Sequence, residues 1–366
     1  MEEIRRIIAE NNRRNAEITA TFNPYTGEGA VGEREKVTIE DFPIPVQYLP
    51  KSMLSVKLIK SIIKAGSIKK FITNTLKVEY TEEDRLKVIE QFVRVRIKHD
   101  FCFWAASYVY IKNKGGGDDV LFKLTRPQRR FVARLEKRRL AGKPIRIVLL
   151  KARQWGGSTT SQLYMAWLQL VHKTGLNSLI IAHQGSGTDE IKDMFDRMIK
   201  EYPLELLYDI GIAYNENEPK MVGVGKSGNI FRVPQRNCKI KLGTAERPDS
   251  CRGGDYNLVH CSEVGIWKKT DGKSPEDIIR SACSGILLEP YTMIVYESTA
   301  NGSGNFFQRE YDAAKRGLSQ FEALFVSWFD IEKYSAPIDD IESFAKNLWL
   351  NRNNDNVNSS REESGK

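Results

Sequence analysis

The sequence predicts an α/β protein in which a mainly parallel central sheet, with antiparallel additions, follows a helical N-terminal region. Three observations lead to that class. Residues 145–150, Ile-Arg-Ile-Val-Leu-Leu, are a near-continuous apolar run of the sort needed by a strand buried on both faces, and behind a glycine-rich turn Leu163, Trp167, Leu168 and Leu170 recur at helical spacing. A second apolar run, 179–182, leads to a helix over 188–201 that turns Ile191, Met194, Phe195 and Ile199 inward. Two further runs, 258–261 and 292–296, stop at polar or acidic residues. Strands that alternate with helices pair in parallel, because the crossover helix carries the chain back across the sheet.

Taken in order, residues 1–20 alternate charged and apolar positions, with Ile4, Ile7, Ile8 and Ile18, and predict a helix ending before Asn23-Pro24. Between Lys51 and Lys77, Leu54, Leu58, Ile59, Ile62, Ile63 and Ile68 recur at roughly helical spacing and leave Lys57, Lys60 and Lys64 on the other face. Thr81-Glu82-Glu83 has the form of an N-cap with acids in the first turn, opening a helix through Val88, Ile89, Phe92 and Val93. Residues 1–100 thus read as a helical accessory region, with the α/β domain over 101–330. In that domain 230–233 and 239–242 alternate in polarity and predict the antiparallel addition. After Asp330 the apolar pattern fades, and 331–366 reads as a linker.

A chain of 366 residues with 41% hydrophobic content supports one large domain and an accessory region. Its five cysteines, Cys102, Cys238, Cys251, Cys261 and Cys283, contain no C-x-x-C pair, and four histidines offer no zinc spacing, so a reducing interior is expected. Met1-Glu2-Glu3-Ile4-Arg5-Arg6 has no apolar core, and nowhere do 18 apolar residues run together, so neither export nor membrane spanning is expected. The net charge of +9 points to a polyanionic partner. Its distribution sharpens that expectation, with seven lysines and no acid from Lys51 to Lys77 and nine basic residues against Glu136 alone from Arg126 to Arg146. Such stretches serve either as solvated helix faces or as contacts to a nucleic-acid backbone.

The chemistry centres on Lys151-Ala152-Arg153-Gln154-Trp155-Gly156-Gly157-Ser158-Thr159-Thr160, between the first strand and its helix. Phosphate oxygens need converging backbone N–H groups and a helix N-terminus, and small residues such as Gly156, Gly157 and Ser158 let the backbone approach. Aligning Ser158 with the end of G-x-x-x-x-G-K-[ST] puts Lys151 at the first glycine and Gly157 at the lysine, so the basic group has moved upstream, to Lys151 or Arg153. The same stretch also suits an ordinary glycine-rich turn that caps a helix through Ser158 or Thr159. Gln128 is placed to offer an amide, donor and acceptor at once, to an adenine edge. The run Leu258-Val259-His260-Cys261-Ser262-Glu263 has the form of a Walker B strand, with Ser262 in place of the usual Asp and Glu263 as the acid that polarises water. After the last apolar strand come Ser298, Thr299, Ala300 and Asn301, small polar groups at a carboxyl edge of the kind that senses a γ-phosphate. Arg252, beside Gly253 and Gly254, either pairs with Asp249 or Asp255 or reaches outward.

Together, in this order and spacing, the Gln128 region, the loop with its displaced cation, Arg252-Gly253, Ser262-Glu263 and Ser298-Thr299-Ala300 resemble the ATPase half of the large terminase subunit, the DNA-packaging motor of tailed bacteriophages. The resemblance runs from about His99 to Asp330. It implies a RecA-like (ASCE) P-loop NTPase domain that uses ATP and Mg2+. Gln128, Lys151, Arg153, Gln154, Trp155, Gly156, Gly157, Ser158 and Thr159 would then hold nucleotide, with Glu263 and Arg252 catalytic. Ser158 would hold the metal and Ser262 would reach it through water. Ser298, Thr299, Ala300 and Asn301 would couple hydrolysis to movement. It further implies double-stranded DNA, a portal protein and a small terminase subunit as partners, a ring homo-oligomer when assembled and a monomer in isolation. The place of action would be the cytoplasm of an infected bacterium, docked on the procapsid. Members carry a second, nuclease domain, for which no room is expected here, so 331–366 reads as the start of its connection. A helicase or remodelling ATPase, and a basic scaffold that binds nucleotide or DNA without turnover, are the competing expectations.

Overall fold

The computed structural model describes residues 2–225, 228–269, 274–334 and 338–351. Its contacts gather into two compact units, one of Phe22–Val326 and one that joins Met1–Thr21 to Ser327–Lys366.

In the larger unit the N-terminal part is built on a hairpin, β1 (Arg34–Thr38) against β2 (Val46–Pro50), and on the short helices α2 (Lys51–Leu54), α3 (Lys57–Ala65) and α4 (Ile68–Lys70). Val37 and Leu49 of the hairpin bury with Ile59, Ile62, Ile68, Phe71, Val88 and Phe92 in one apolar cluster, while Lys57, Lys60 and Lys64 stay on the exposed face of α3. Thr81 caps α5 (Glu82–His99), accepting from the Asp84 N–H.

Two expectations for this region are corrected. It is not all helical, because Val37, Gln47 and Leu49 alternate as a half-buried hairpin requires. Nor do the contacts break at residue 100. Asp100 closes α5 and accepts from the Phe103 N–H at the start of α6 (Phe101–Tyr108), while Arg34 grips both its carboxylate oxygens at 2.8 Å. Arg96, one turn earlier, is buried with it and donates to Gln47 and to the Tyr25 carbonyl. A buried carboxylate between two guanidiniums stitches the hairpin to the helices on both sides of the expected boundary.

After the two-stranded β3 (Tyr110–Ile111) and β4 (Val120–Leu121) comes α7 (Arg126–Leu140), and then the central sheet. Its strands are β5 (Ile145–Lys151), β6 (Asn177–Ala182), β7 (Val222–Gly223), β8 (Ile230–Val233), β9 (Cys238–Thr244), β10 (Leu258–Cys261), β11 (Met293–Ser298) and β12 (Glu322–Val326). They lie in the order β12-β5-β11-β10-β6-β9-β8-β7. Neighbours from β12 to β9 run parallel, and β8 and β7 add antiparallel at the far edge, as the polarity alternation predicts. The helices α8 (Gly157–Trp167), α9 (Gly185–Glu201), α10 (Pro275–Cys283) and α11 (Phe306–Lys315) complete the α/β units. This is a mainly parallel α/β fold with an antiparallel edge. One strand, β11, separates the strand that leads into the glycine-rich loop from the strand that ends in Ser262-Glu263, so the carboxyl ends of three neighbouring strands share one edge.

In the smaller unit α1 (Glu2–Ile18) buries Ile4 and Ile8 with Ala345 of a helix over 341–351. The linker expected over 331–366 is therefore in part a helix, opened where Asp340 accepts from the Ser343 N–H. The periodicity there is short, which hid it from the sequence. Residues 352–366 lie outside the described residues. Among the described residues no helix is long and apolar enough to cross a membrane.

Candidate active site

The loop between β5 and α8 turns through two left-handed residues, Gln154 (φ 56°) and Gly156 (φ 81°), the second standing as the N-cap of α8. Trp155 between them is buried and meets Phe131 of α7 edge-on at 6.1 Å. Its indole lies where a side chain on Gly157 would have to go, which is why the position that carries lysine in the general motif holds glycine here. Ser158 and Thr159 sit on the first turn of α8, whose N–H groups and dipole favour an anion at the loop.

Gln128 stands otherwise than expected. Its Oε1 accepts from the Thr125 N–H at 2.8 Å and its Nε2 donates to the Trp155 carbonyl at 2.9 Å, with the side chain buried. Both ends of the amide are engaged, so it braces the loop from α7 instead of offering itself to a base.

Lys151, the last residue of β5, donates through Nζ to Glu263 Oε1 at 2.8 Å; its side chain is 7% exposed and that of Glu263 30%. Burial presses the lysine pKa down, but the carboxylates of Glu297 and Glu263 outweigh it and hold it above the ordinary value. Arg153, two residues on, is exposed. Glu263 takes a left-handed conformation (φ 55°), which turns its side chain back across the edge of the sheet. Its Oε2 accepts from the Thr299 N–H at 3.4 Å.

The residues after β11 wrap the turn over 264–266. Ser298 Oγ accepts from the Gly265 N–H at 3.0 Å and Asn301 Nδ2 donates to the Gly265 carbonyl at 3.1 Å. Ala300 is exposed and contributes only its small size. Thr299 thus contacts Glu263 itself, while Ser298 and Asn301 hold Gly265 in the turn that follows it.

The residue not anticipated is Glu297 of β11, fully buried. The hydroxyls of Ser158 and of Ser262 both donate to its Oε1, the second at 3.1 Å. His260 Nε2 lies 3.3 Å away without hydrogen-bond alignment. Burial pushes its carboxyl up, yet the Lys151 ammonium, with the neighbouring His260 ring and the Ser158 hydroxyl, prevails and holds it at about 2. The available signal was a Glu at one strand end where Ser262 stands at the next, in the place expected to hold an acid.

Arg252 is brought to none of these groups. It pairs locally with Asp249 at 3.4 Å, with half of its side chain exposed, a contact that contributes about 0–1 kcal/mol.

Fold and site together define a mainly parallel α/β protein whose glycine-rich loop faces two acids at neighbouring strand ends. No family model matches the sequence, and no curated protein matches it. Among solved structures the chain is similar to the large terminase ATPase domain of Thermus phage P74-26, at 18% identity and TM-score 0.33, over 57% of this chain and 81% of that one. It is also similar to the HK97 bacteriophage large terminase, at 14% identity and TM-score 0.46, over 65% of this chain and 44% of that one. A third is the UvsW helicase from bacteriophage T4, at 14% identity and TM-score 0.36, over 62% and 66%.

Proposed function

We propose that this chain is an ATP hydrolase of the nucleic-acid motor class, the packaging ATPase domain of a phage large terminase, which couples hydrolysis to translocation of double-stranded DNA into a procapsid. The observation that carries the proposal is the contact of Lys151 with Glu263, which brings the head of the loop and the Walker B acid together from 112 positions apart in the chain.

In this reading the N–H groups at the start of α8 receive the β- and γ-phosphates, and Arg153 reaches them from the exposed side of the loop. Glu263, freed from Lys151 by the incoming phosphate charge, accepts a proton from the attacking water. Thr299 and Asn301 follow the 264–266 turn when Glu263 moves.

A triphosphate carries a small divalent cation, and the residues fit one: Ser158 stands at the loop beside a buried carboxylate whose second oxygen, Glu297 Oε2, has no partner. Ser158 would hold the ion, with Ser262 beside it through water. The chemistry a Mg2+ ion would supply, if held there, is neutralisation of charge on the phosphoryl group.

The exposed lysines of α3, Lys57, Lys60 and Lys64, suit the phosphate backbone of a duplex and offer no device for reading bases. Portal protein and small terminase subunit are the partners this function requires, in a ring that acts in the cytoplasm of an infected bacterium. Arg252 then belongs to an exposed loop that can face a neighbouring subunit. The test is ATP turnover by the purified chain with and without duplex DNA. We expect hydrolysis that duplex DNA stimulates; a chain that binds neither ATP nor duplex would overturn the reading.

A further inference from the structure

We propose that Glu297 replaces the Walker B aspartate as the carboxylate that anchors the nucleotide's divalent cation, a role supplied from the neighbouring strand β11. This rests on the phosphate-loop reading above.

The register of the sheet carries the argument. β10 and β11 run parallel with Cys261 opposite Tyr296, so the next pair towards the carboxyl edge is Ser262 and Glu297. β11 also lies directly beside β5, with Glu297 opposite Leu149, whereas β10 is one strand further away. A carboxylate on β11 therefore starts nearer the loop than one on β10. Its Oε1 already receives the hydroxyl of Ser158, the residue at the metal-holding position of the loop.

Ser262 fits the same logic. Its hydroxyl donates to Glu297 Oε1 at 3.1 Å, so the vacated position holds a donor to the carboxylate instead of a second carboxylate. An Asp at 262 would face Glu297 across adjacent strands, and two carboxylates sharing one site resist ionising together.

Glu297 Oε2 is buried and without a partner. An orphaned carboxylate oxygen is costly unless something of positive charge completes it. His260 Nε2 stands 3.3 Å from Oε1 without hydrogen-bond alignment, and Lys151 donates to Glu263, so neither completes Oε2. A cation held between Ser158 and Glu297 gives that oxygen a partner.

The competing role is structural, with Glu297 serving only as buried counter-charge to Lys151. Manganese binding to the ADP complex, read by electron paramagnetic resonance on the full chain, separates the two. ADP affinity in EDTA and thermal melting are measured alongside. Glu297→Gln should weaken manganese at least about tenfold while leaving metal-free ADP affinity within about twofold, and the charge swap Ser262→Asp with Glu297→Ser should recover most of the loss. A folded Glu297→Gln protein that binds manganese as the wild type does overturns the proposal. If Glu297→Gln does not fold, the swap decides: retained manganese binding supports the proposal, and loss of manganese with ADP binding intact overturns it. A wild-type chain that binds neither ADP nor manganese overturns the phosphate-loop reading itself, and this inference with it.

Discussion

Lys151 and Glu263 face each other at 2.8 Å across the carboxyl edge of the sheet, one closing the strand before the loop and the other bent back by a left-handed backbone. The pair holds the proposed base in place and keeps it occupied until phosphate charge competes for the lysine.

Removing the base without removing the contact isolates its chemistry. Glu263→Gln should lower ATP turnover by on the order of a hundredfold or more while nucleotide binding persists. Steady-state hydrolysis and equilibrium binding of a labelled ATP check it; turnover near the wild-type rate would remove Glu263 from the mechanism.

The two candidate cations should separate by assay. Arg153→Ala is expected to weaken ATP far more than AMP, since only ATP presents β- and γ-phosphates. Lys151→Ala is expected to act on the fold as well, because it strips compensation from two carboxylates. A loss of roughly 1–3 kcal/mol is expected, reduced from a fully buried pair by the 30% exposure of Glu263. Binding isotherms for both nucleotides, with chemical denaturation, distinguish these outcomes.

Gly157 should tolerate no side chain while Trp155 keeps its place. Gly157→Ala forces a methyl group into the indole and should cost roughly 1–3 kcal/mol. In a Trp155→Ala background the same change should cost markedly less. A double-mutant cycle on denaturation free energies measures the coupling, and additive effects would mean that the glycine answers to something else.

Acid should destabilise the larger unit before its carboxylates titrate. Burial first, then Arg139 and Lys98, depresses His99 to about 4, and burial with Arg139 depresses His172 to about 2. The unfolded chain takes up these protons near pH 6.5, and the folded chain takes up that of His99 only near 4. The stability in question is therefore complete above about 6.5 and is lost progressively as pH falls through that window. His99→Gln should lose less melting temperature between pH 7.5 and pH 5 than the wild type, as differential scanning fluorimetry would read.

What the sequence made legible follows the range of the forces involved. The strands β5, β6, β10 and β11, the loop and the cap at Thr81 are written in local periodicity and turn chemistry. Glu297 was not legible, because its meaning depends on a register that sets it beside Ser262 and over Ser158, residues far apart in the chain. Gln128 was legible only in part, for a related reason. Its position ahead of the loop is visible in sequence, but the two backbone groups that engage its amide are not. The expected division at residue 100 falls inside one contact unit, because Asp100, held by Arg34 and Arg96 from the N-terminal side, also accepts from the Phe103 N–H beyond it.

β12 pairs along β5 as far as Val326 opposite Lys151, and the Ala152 N–H donates to the Val326 carbonyl at 2.8 Å. The chain leaves the sheet at that point. Tension applied to the polypeptide beyond Val326 is therefore delivered first to the hydrogen bond at Ala152, in shear along β12 and within one residue of the base of the loop. The position of the glycine-rich loop is thereby mechanically tied to the strand by which the chain departs.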